Sequence, residues 1–146
     1  MAKQKNISRN DSEENAPEQI SVGKMELVCR KIIHVLEAEK LFLKSDLSVW
    51  ELSRAVGCGV HDISRSINRY MGKNYFDLIN RLRLEEAKRL LRETAEKQLN
   101  LNVEDIIRKS GFRSRSTFFA NFGEYEKMTP KKYMSLYTNN GLFINK

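Results

Sequence analysis

Residues 47–57 read Leu47-Ser-Val-Trp-Glu-Leu-Ser-Arg-Ala-Val-Gly57, and residues 101–111 read Leu101-Asn-Val-Glu-Asp-Ile-Ile-Arg-Lys-Ser-Gly111. Both stretches begin with a leucine, a capping residue and a valine, and both stop at a glycine. Ser48 and Asn102 each bring a side-chain oxygen that can accept a bond from an orphan N–H at a helix start. Glu51, three residues after Ser48, completes a capping box. Glycine tolerates the positive φ at which a chain turns sharply. The parallel continues past each glycine. A short turn leads into a helix whose apolar pair is spaced i, i+4, namely Ile63/Ile67 in one copy and Phe118/Phe122 in the other. Two short helices joined by a glycine-containing turn make a helix-turn-helix, and this chain carries the pattern twice. Two copies are too few for a stacked solenoid.

The rest of the chain reads outward from these copies. Asn74, with Asp77 three residues on, caps a long helix over 74–94 with apolar positions at Phe76, Ile79, Leu82, Ala87, Leu90 and Leu91. Ahead of the first copy, Leu27, Val28, Ile32, Val35 and Leu36 recur at helical spacing, and that helix ends near Lys40. Within the copies, helices are expected at Val49–Val56 and Val60–Met71, then at Val103–Ser110 and Arg115–Phe122. The stretch Glu96–Leu101 reads as a loop. Thr129-Pro130 opens a last helix to about Tyr137, with proline at the first helical position, where its missing N–H costs nothing. The expected fold is all-α, with two helix-turn-helix subdomains joined by a long central helix. Residues 1–23 read as a polar tail or linker, 24–137 as the folded domain and 138–146 as a loose end.

Composition narrows the function. The chain has 26 Lys+Arg against 19 Asp+Glu, a net charge of +7. The excess lies in two blocks. Residues 61–92 hold eight basic side chains (65, 69, 73, 81, 83, 88, 89, 92) against four acids (62, 77, 85, 86). Residues 108–132 hold seven (108, 109, 113, 115, 127, 131, 132) against Glu124 and Glu126. Such a surface suits a polyanion, or it simply keeps the protein soluble. No apolar run approaches the ~20 residues of a membrane-spanning helix, and the N-terminus lacks a signal-like apolar stretch. Cys29 and Cys58 stand apart, with no CxxC and no paired histidine, so neither a disulfide framework nor a zinc site is expected. His34 and His61 are the only histidines, and no HExxH, P-loop or nucleophile elbow occurs. An enzyme is not expected, nor any cofactor, metal or catalytic residue. His34 reads as structural.

With Ile63 and Ile67 inward, a 100° step puts His61, Arg65 and Asn68 on the opposite face of their helix, flanked by Ser64 and Arg69. Arginine can take guanine O6 and N7, and asparagine can take adenine N6 and N7. The same face would also serve as an ordinary solvated surface. In the second copy Arg113, Ser116 and Ala120 face outward, Thr117 and Phe119 flank them, and Arg115 sits in the first turn. Phe119 fits either a thymine methyl or core packing. Candidate phosphate contacts are Ser48, Asn102 and Ser114 at helix starts, together with Arg69, Lys73, Arg81, Arg83, Arg113, Lys131 and Lys132; Arg108 and Lys109 share the basic surface.

These residues have a family likeness. Leu47, Glu51-Leu52, Ala55, Gly57, Ile63-Ser64-Arg65 and Ile67 resemble the first half of the AraC/XylS DNA-binding domain. Gly72, Tyr75-Phe76, Ile79 to Arg83 and Glu86 to Leu91 continue the likeness. In the second half it is carried by Val103, Ile106, Gly111-Phe112, Ser114 to Phe118, Phe122, Met128-Thr129-Pro130 and Tyr133. The likeness spans roughly 45–137, and the Ile79-Asn80-Arg81 and Ser114–Phe118 stretches look most like members from Bacteroidota. It implies seven helices, the third and sixth entering successive major-groove segments about one DNA turn apart. It places base contacts on His61, Ser64 and Arg65, and on Arg115, Ser116, Thr117 and Ala120. The departures are Ala120 for arginine, Gly123 for a basic residue, Lys127 for glycine, Ile107 for alanine and Gly59 for a capping Ser or Thr. They imply weaker reading by the second unit. The function so implied is a cytoplasmic, sequence-specific transcription regulator of double-stranded DNA, an activator, with RNA polymerase and a sensor domain or sensor protein as further partners. The alternative is a helical protein-interaction or anti-activator module that has lost sequence reading.

Overall fold

The computed structural model describes residues 20–138, which form seven α-helices and no strand. The expected all-helical class and the seven-helix count both hold. Apart from residues 20–23 and Thr138, the expected tails lie outside the described residues.

Helix α1 (Val22–Glu39) starts before the expected Lys24, because Ser21 caps it by accepting from the Lys24 N–H at 3.2 Å. Ile20 just ahead of it is already buried. One face of α1, from Met25 through Val28 and Ile32 to Leu36, is buried; Leu27, expected on that stripe, is 59% exposed, and His34 is exposed rather than structural. A single 3₁₀ turn, Leu41–Leu43, then leads to the first helix pair. Helix α2 (Val49–Val56) has the anticipated capping box, with Ser48 accepting from the Glu51 N–H and the Glu51 carboxylate accepting from the Ser48 N–H. Gly57 ends it at φ 79°.

Helix α3 is shorter than expected. It is α-helical over Val60–Arg65 and widens into a π turn over Ser66–Tyr70. Two donors converge on the Ser66 carbonyl: the Met71 N–H at 3.4 Å and the buried Cys29 thiol at 3.3 Å. Burial pushes that thiol's pKa up, which keeps it protonated as the donor.

The long helix α4 (Tyr75–Glu96) begins at its expected cap, Asn74, which accepts from the Asp77 N–H at 2.8 Å. Helix α5 (Val103–Lys109) is capped by Asn102, and α6 (Arg115–Glu126) by Ser114. Helix α6 runs a turn beyond the expected Phe122. Its last turn is drawn onto α4 by the Lys88–Glu126 ion pair at 2.8 Å and by the Arg81 guanidinium 4.4 Å above the Tyr125 ring. Helix α7 (Pro130–Ser135) carries the buried Tyr133.

Two cores result. The first gathers Val28, Ile32, Leu36, Leu52, Ile63 and Ile67 with Leu78 and Ile79 of α4. The second gathers Leu84, Ala87 and Leu91 of α4 with Ile106, Phe112, Phe118, Phe122 and Tyr133. Each fully buried Leu, Ile or Phe contributes ~1.5–3 kcal/mol. The first half of α4 therefore belongs to one unit and the second half to the other.

The two units are also stitched at the 3₁₀ turn. Arg83, 8% exposed, donates from Nε to the Phe42 carbonyl at 2.7 Å and from a terminal nitrogen to the Lys44 carbonyl at 2.8 Å. Gly111, at φ 86°, lies against the same turn: a Cβ there would come within 2.5 Å of the Phe42 carbonyl oxygen and 2.7 Å of the Leu43 Cα. Only glycine permits both that φ and that approach.

Candidate nucleic-acid interface

The second helix of each unit carries the candidate readers. In α3, Ile63 and Ile67 are fully buried, as their spacing dictates. His61, Asn68 and Arg69 are exposed, and Ser64 and Arg65 half-buried. The N-cap is Gly59, which gives no side-chain cap bond. Asp62 in the first turn faces Lys24 of α1 at 3.9 Å. Asn68 lies inside the π turn, so the 100° step that aligned it with His61 and Arg65 does not carry past Ser66.

In α6, Phe118 and Phe122 are fully buried. Arg113, Arg115, Ser116 and Ala120 are exposed. The Ser114 hydroxyl accepts from the Thr117 N–H at 3.2 Å and donates to the Thr117 hydroxyl at 2.8 Å, so the Ser114 hydroxyl is committed to the cap while the Thr117 hydroxyl only accepts. Arg115 is held as well. Its guanidinium pairs with Glu104 of α5 and lies 4.9 Å above the Phe119 ring. Phe119 is half-buried and edge-on to Phe118 at 5.2 Å, so of its two expected roles packing is the one observed.

A cleft of about 670 Å³ runs between the two units. Its walls bring together Ser48 and Ser64 of the first unit, Phe76 of α4, and Arg113 and Thr117 of the second. One residue of α3, Ser64, and one of α6, Thr117, thus border a shared space.

Several candidate phosphate contacts have other partners or face elsewhere in this geometry. Arg83 is buried and commits its donors to backbone carbonyls. Ser48 uses both its hydroxyl and its N–H within the capping box, beside the Glu51 carboxylate. Asn102 accepts from the Asp105 N–H, and the first turn of α5 carries Glu104 and Asp105, which repel an anion. Arg81 and Lys73 line a different groove, with Leu78, Leu82 and Glu85. On α4 these groove positions point away from the cleft positions 76, 79, 80 and 83, since 100° per residue separates 78, 81, 82 and 85 onto the opposite face. Arg108 and Lys109 pair with Asp105 at 2.5 and 2.8 Å. Arg69, Arg113, Lys131 and Lys132 remain exposed, and Ser114 heads a first turn without an acid.

A family model described as a helix-turn-helix domain matches residues 52–135, more than half of the chain. The chain belongs to the AraC/XylS family of helix-turn-helix regulators. Uncharacterized HTH-type transcriptional regulators of Staphylococcus aureus strains COL and MSSA476 are each 31% identical to it over 103 residues, 70% of this chain. The chain spans about 13% of the length of those relatives. Two solved structures share the fold. The C-terminal domain of the response regulator AraT from Geobacillus stearothermophilus has a TM-score of 0.60 and 21% identity, over 77% of this chain and 86% of that one. The C-terminal domain of the two-component response regulator yesN from Fusobacterium nucleatum has a TM-score of 0.56 and 24% identity, over 77% and 98%. The family is one of helix-turn-helix transcription regulators. Among the described residues no helix is long and apolar enough to cross a membrane.

Two features of this AraC/XylS chain escaped the sequence reading. Phe76, counted with the core, is 71% exposed. The stripe 75, 78, 79, 82 already places Tyr75 inward and Phe76 about 100° away from it. The Glu104–Arg115 pair joins residues on separate helices, and no local pattern announces it.

Proposed function

We propose that this chain is the DNA-binding domain of a transcription regulator and that α3 and α6 enter successive major-groove segments on one side of the duplex. The observation that supports the reading is the shared cleft, which Ser64 of α3 and Thr117 of α6 both line. His61, Ser64 and Arg65 read base edges in the first segment, and Asn68, exposed but set off their line by the π turn, reads beside them; Arg115, Ser116 and Thr117 read in the second. Arg69, Arg113, Ser114, Lys131 and Lys132 hold phosphates, which fixes register without reading sequence. The regulator acts as an activator in the cytoplasm, with a sensor domain or sensor protein upstream and RNA polymerase downstream.

The first unit dominates specificity. In the second, Ala120 offers no hydrogen bond, and Arg115 must leave Glu104 before it can reach a base. That pair is exposed and its loss costs ~0–1 kcal/mol, so it weakens the contact without abolishing it.

Selection of bound duplexes from a random pool tests the proposal. An enriched motif is expected, with binding that weakens steeply as salt rises, because each neutralised phosphate releases counterions. Arg65→Ala should cost ~1–3 kcal/mol and relax preference at one base pair. Failure to enrich any motif at low salt, with capture of a protein partner instead, would favour the protein-interaction alternative.

A further inference from the structure

We propose that Phe76 is an apolar wedge that presses on the minor-groove side of the duplex between the two major-groove segments and selects for a deformable step there. The inference rests on the DNA-binding reading above and adds a contact that the recognition helices do not supply.

Phe76 is the most exposed large hydrophobic side chain among the described residues, at 71%. It is not a stray surface group. It lines the cleft whose other walls carry Ser64 of α3 and Arg113 and Thr117 of α6. It is also braced from behind. Its ring meets the Tyr75 ring edge-on, with centroids 5.4 Å apart, and the Tyr75 hydroxyl donates to the Leu47 carbonyl at 2.8 Å. The sequence places the ring off the buried stripe of α4, so core packing does not account for it.

Geometry names the occupant. When two helices sit in successive major-groove segments on one face, the stretch between them turns its minor groove toward the protein. Phe76 lines the same cleft as Ser64 of α3 and Thr117 of α6, so a duplex held by both helices carries that stretch past Phe76. Arg113 on the cleft wall matches its negative backbone. Apolar side chains pressed into the minor groove unstack base steps and bend the helix, at an energy that depends on the step being deformed. Pyrimidine–purine steps yield easily, whereas A-tracts resist.

The test uses a duplex selected by the protein from a random pool, prepared in two forms: one with a TA step midway between the half-sites and one with an A-tract there. The wild-type chain should prefer the TA form by about fivefold or more, in line with step-dependent bending energies. Phe76→Ser should bind the TA form less tightly and show a preference near unity. A 2-aminopurine beside the central step should brighten on binding wild type and stay quenched with Phe76→Ser. Phe76→Leu, which keeps an apolar wedge, should retain most of the preference. The side chain is exposed, so a thermal melt should show all three proteins equally folded. If Phe76→Ser discriminates between the two duplexes as wild type does, the proposal is overturned. The same holds if it binds both duplexes like wild type and loses only transcriptional output, which would assign Phe76 to a protein partner. If wild type selects no duplex at all, the DNA-binding reading itself fails, a result distinct from a wedge that does not discriminate.

Discussion

Lys127 closes α6 in the left-handed conformation, at φ 56°, with its N–H bonded to the Gly123 carbonyl at 3.1 Å. A side chain with a Cβ meets a steric penalty there that glycine avoids. Lys127→Gly should therefore raise stability by ~0.5–1 kcal/mol, read from urea unfolding; a loss would mean that the lysine charge at the helix end outweighs the backbone strain. Tyr75 makes a second residue-scale case. Burial pushes its hydroxyl pKa up to about 12, although the nearby Arg83 charge works in the other direction. The folded state thus holds that proton more tightly than the unfolded chain, whose tyrosine titrates near 10. The resulting stability is fully present below pH 10 and is lost as pH rises through about 12. Tyr75→Phe should cost ~1 kcal/mol at neutral pH by leaving the Leu47 carbonyl unpaired, and should flatten the fall in stability across that alkaline window. An unchanged fall would assign it to other groups. At this scale the sequence was only partly legible. Caps such as Ser48, Asn74 and Asn102 are local, and they stand where their patterns put them. Arg83 and Glu104 find partners on other elements, Phe42 and Arg115, and those pairings depend on how the units dock rather than on neighbours in the chain.

Among the elements, the long α4 and the short α2 were legible because period, cap and stop agreed in each. The two second helices were not read correctly to their ends, for opposite reasons. Helix α3 was expected to run regularly to Met71, but the Cys29 thiol draws on the Ser66 carbonyl and the chain widens into a π turn. That donor belongs to α1, 37 residues away in sequence. Helix α6 was expected to stop at Phe122, yet contacts from Lys88 and Arg81 hold the next turn on α4, although Gly123 weakens the helix there. Tertiary packing overrides propensity in both. Gly123 is nevertheless a standing cost. A Cβ there would meet nothing within 4 Å, and the residue is interior to the helix. Gly123→Ala should raise stability by ~0.5–1 kcal/mol, measured by thermal or urea unfolding. A decrease would show that the last turn of α6 relies on backbone freedom that the open space around Gly123 does not reveal.

If α3 and α6 enter successive major-groove segments as proposed, the whole molecule is a spacer between them, and its rigidity sets what spacing of half-sites it can read. Helix α4 has 22 residues, about 33 Å at 1.5 Å each. One turn of DNA is of similar length, ~34 Å. The rod alone would still allow the units to swivel, because each packs on its own half of α4. The Arg83 bonds to the carbonyls of Phe42 and Lys44, and the seating of Gly111 on the Phe42–Leu43 backbone, remove that freedom. Inserting five base pairs between selected half-sites places them on opposite faces of the duplex. The wild-type chain should then bind with only one unit, and affinity should fall by ~10² or more, because the second contact no longer benefits from being tethered. Arg83→Met keeps most of the side-chain volume and leaves both carbonyls without their donor. Its stability should drop by ~1–3 kcal/mol. A merely structural loss would lower affinity for every duplex by the same factor. A loosened joint would instead shrink the penalty of the five-base-pair insertion, since swivelling units tolerate altered phase. Equal penalties for wild type and Arg83→Met, measured where both proteins are folded, would place the rigidity in α4 and Gly111 and not in the buried guanidinium.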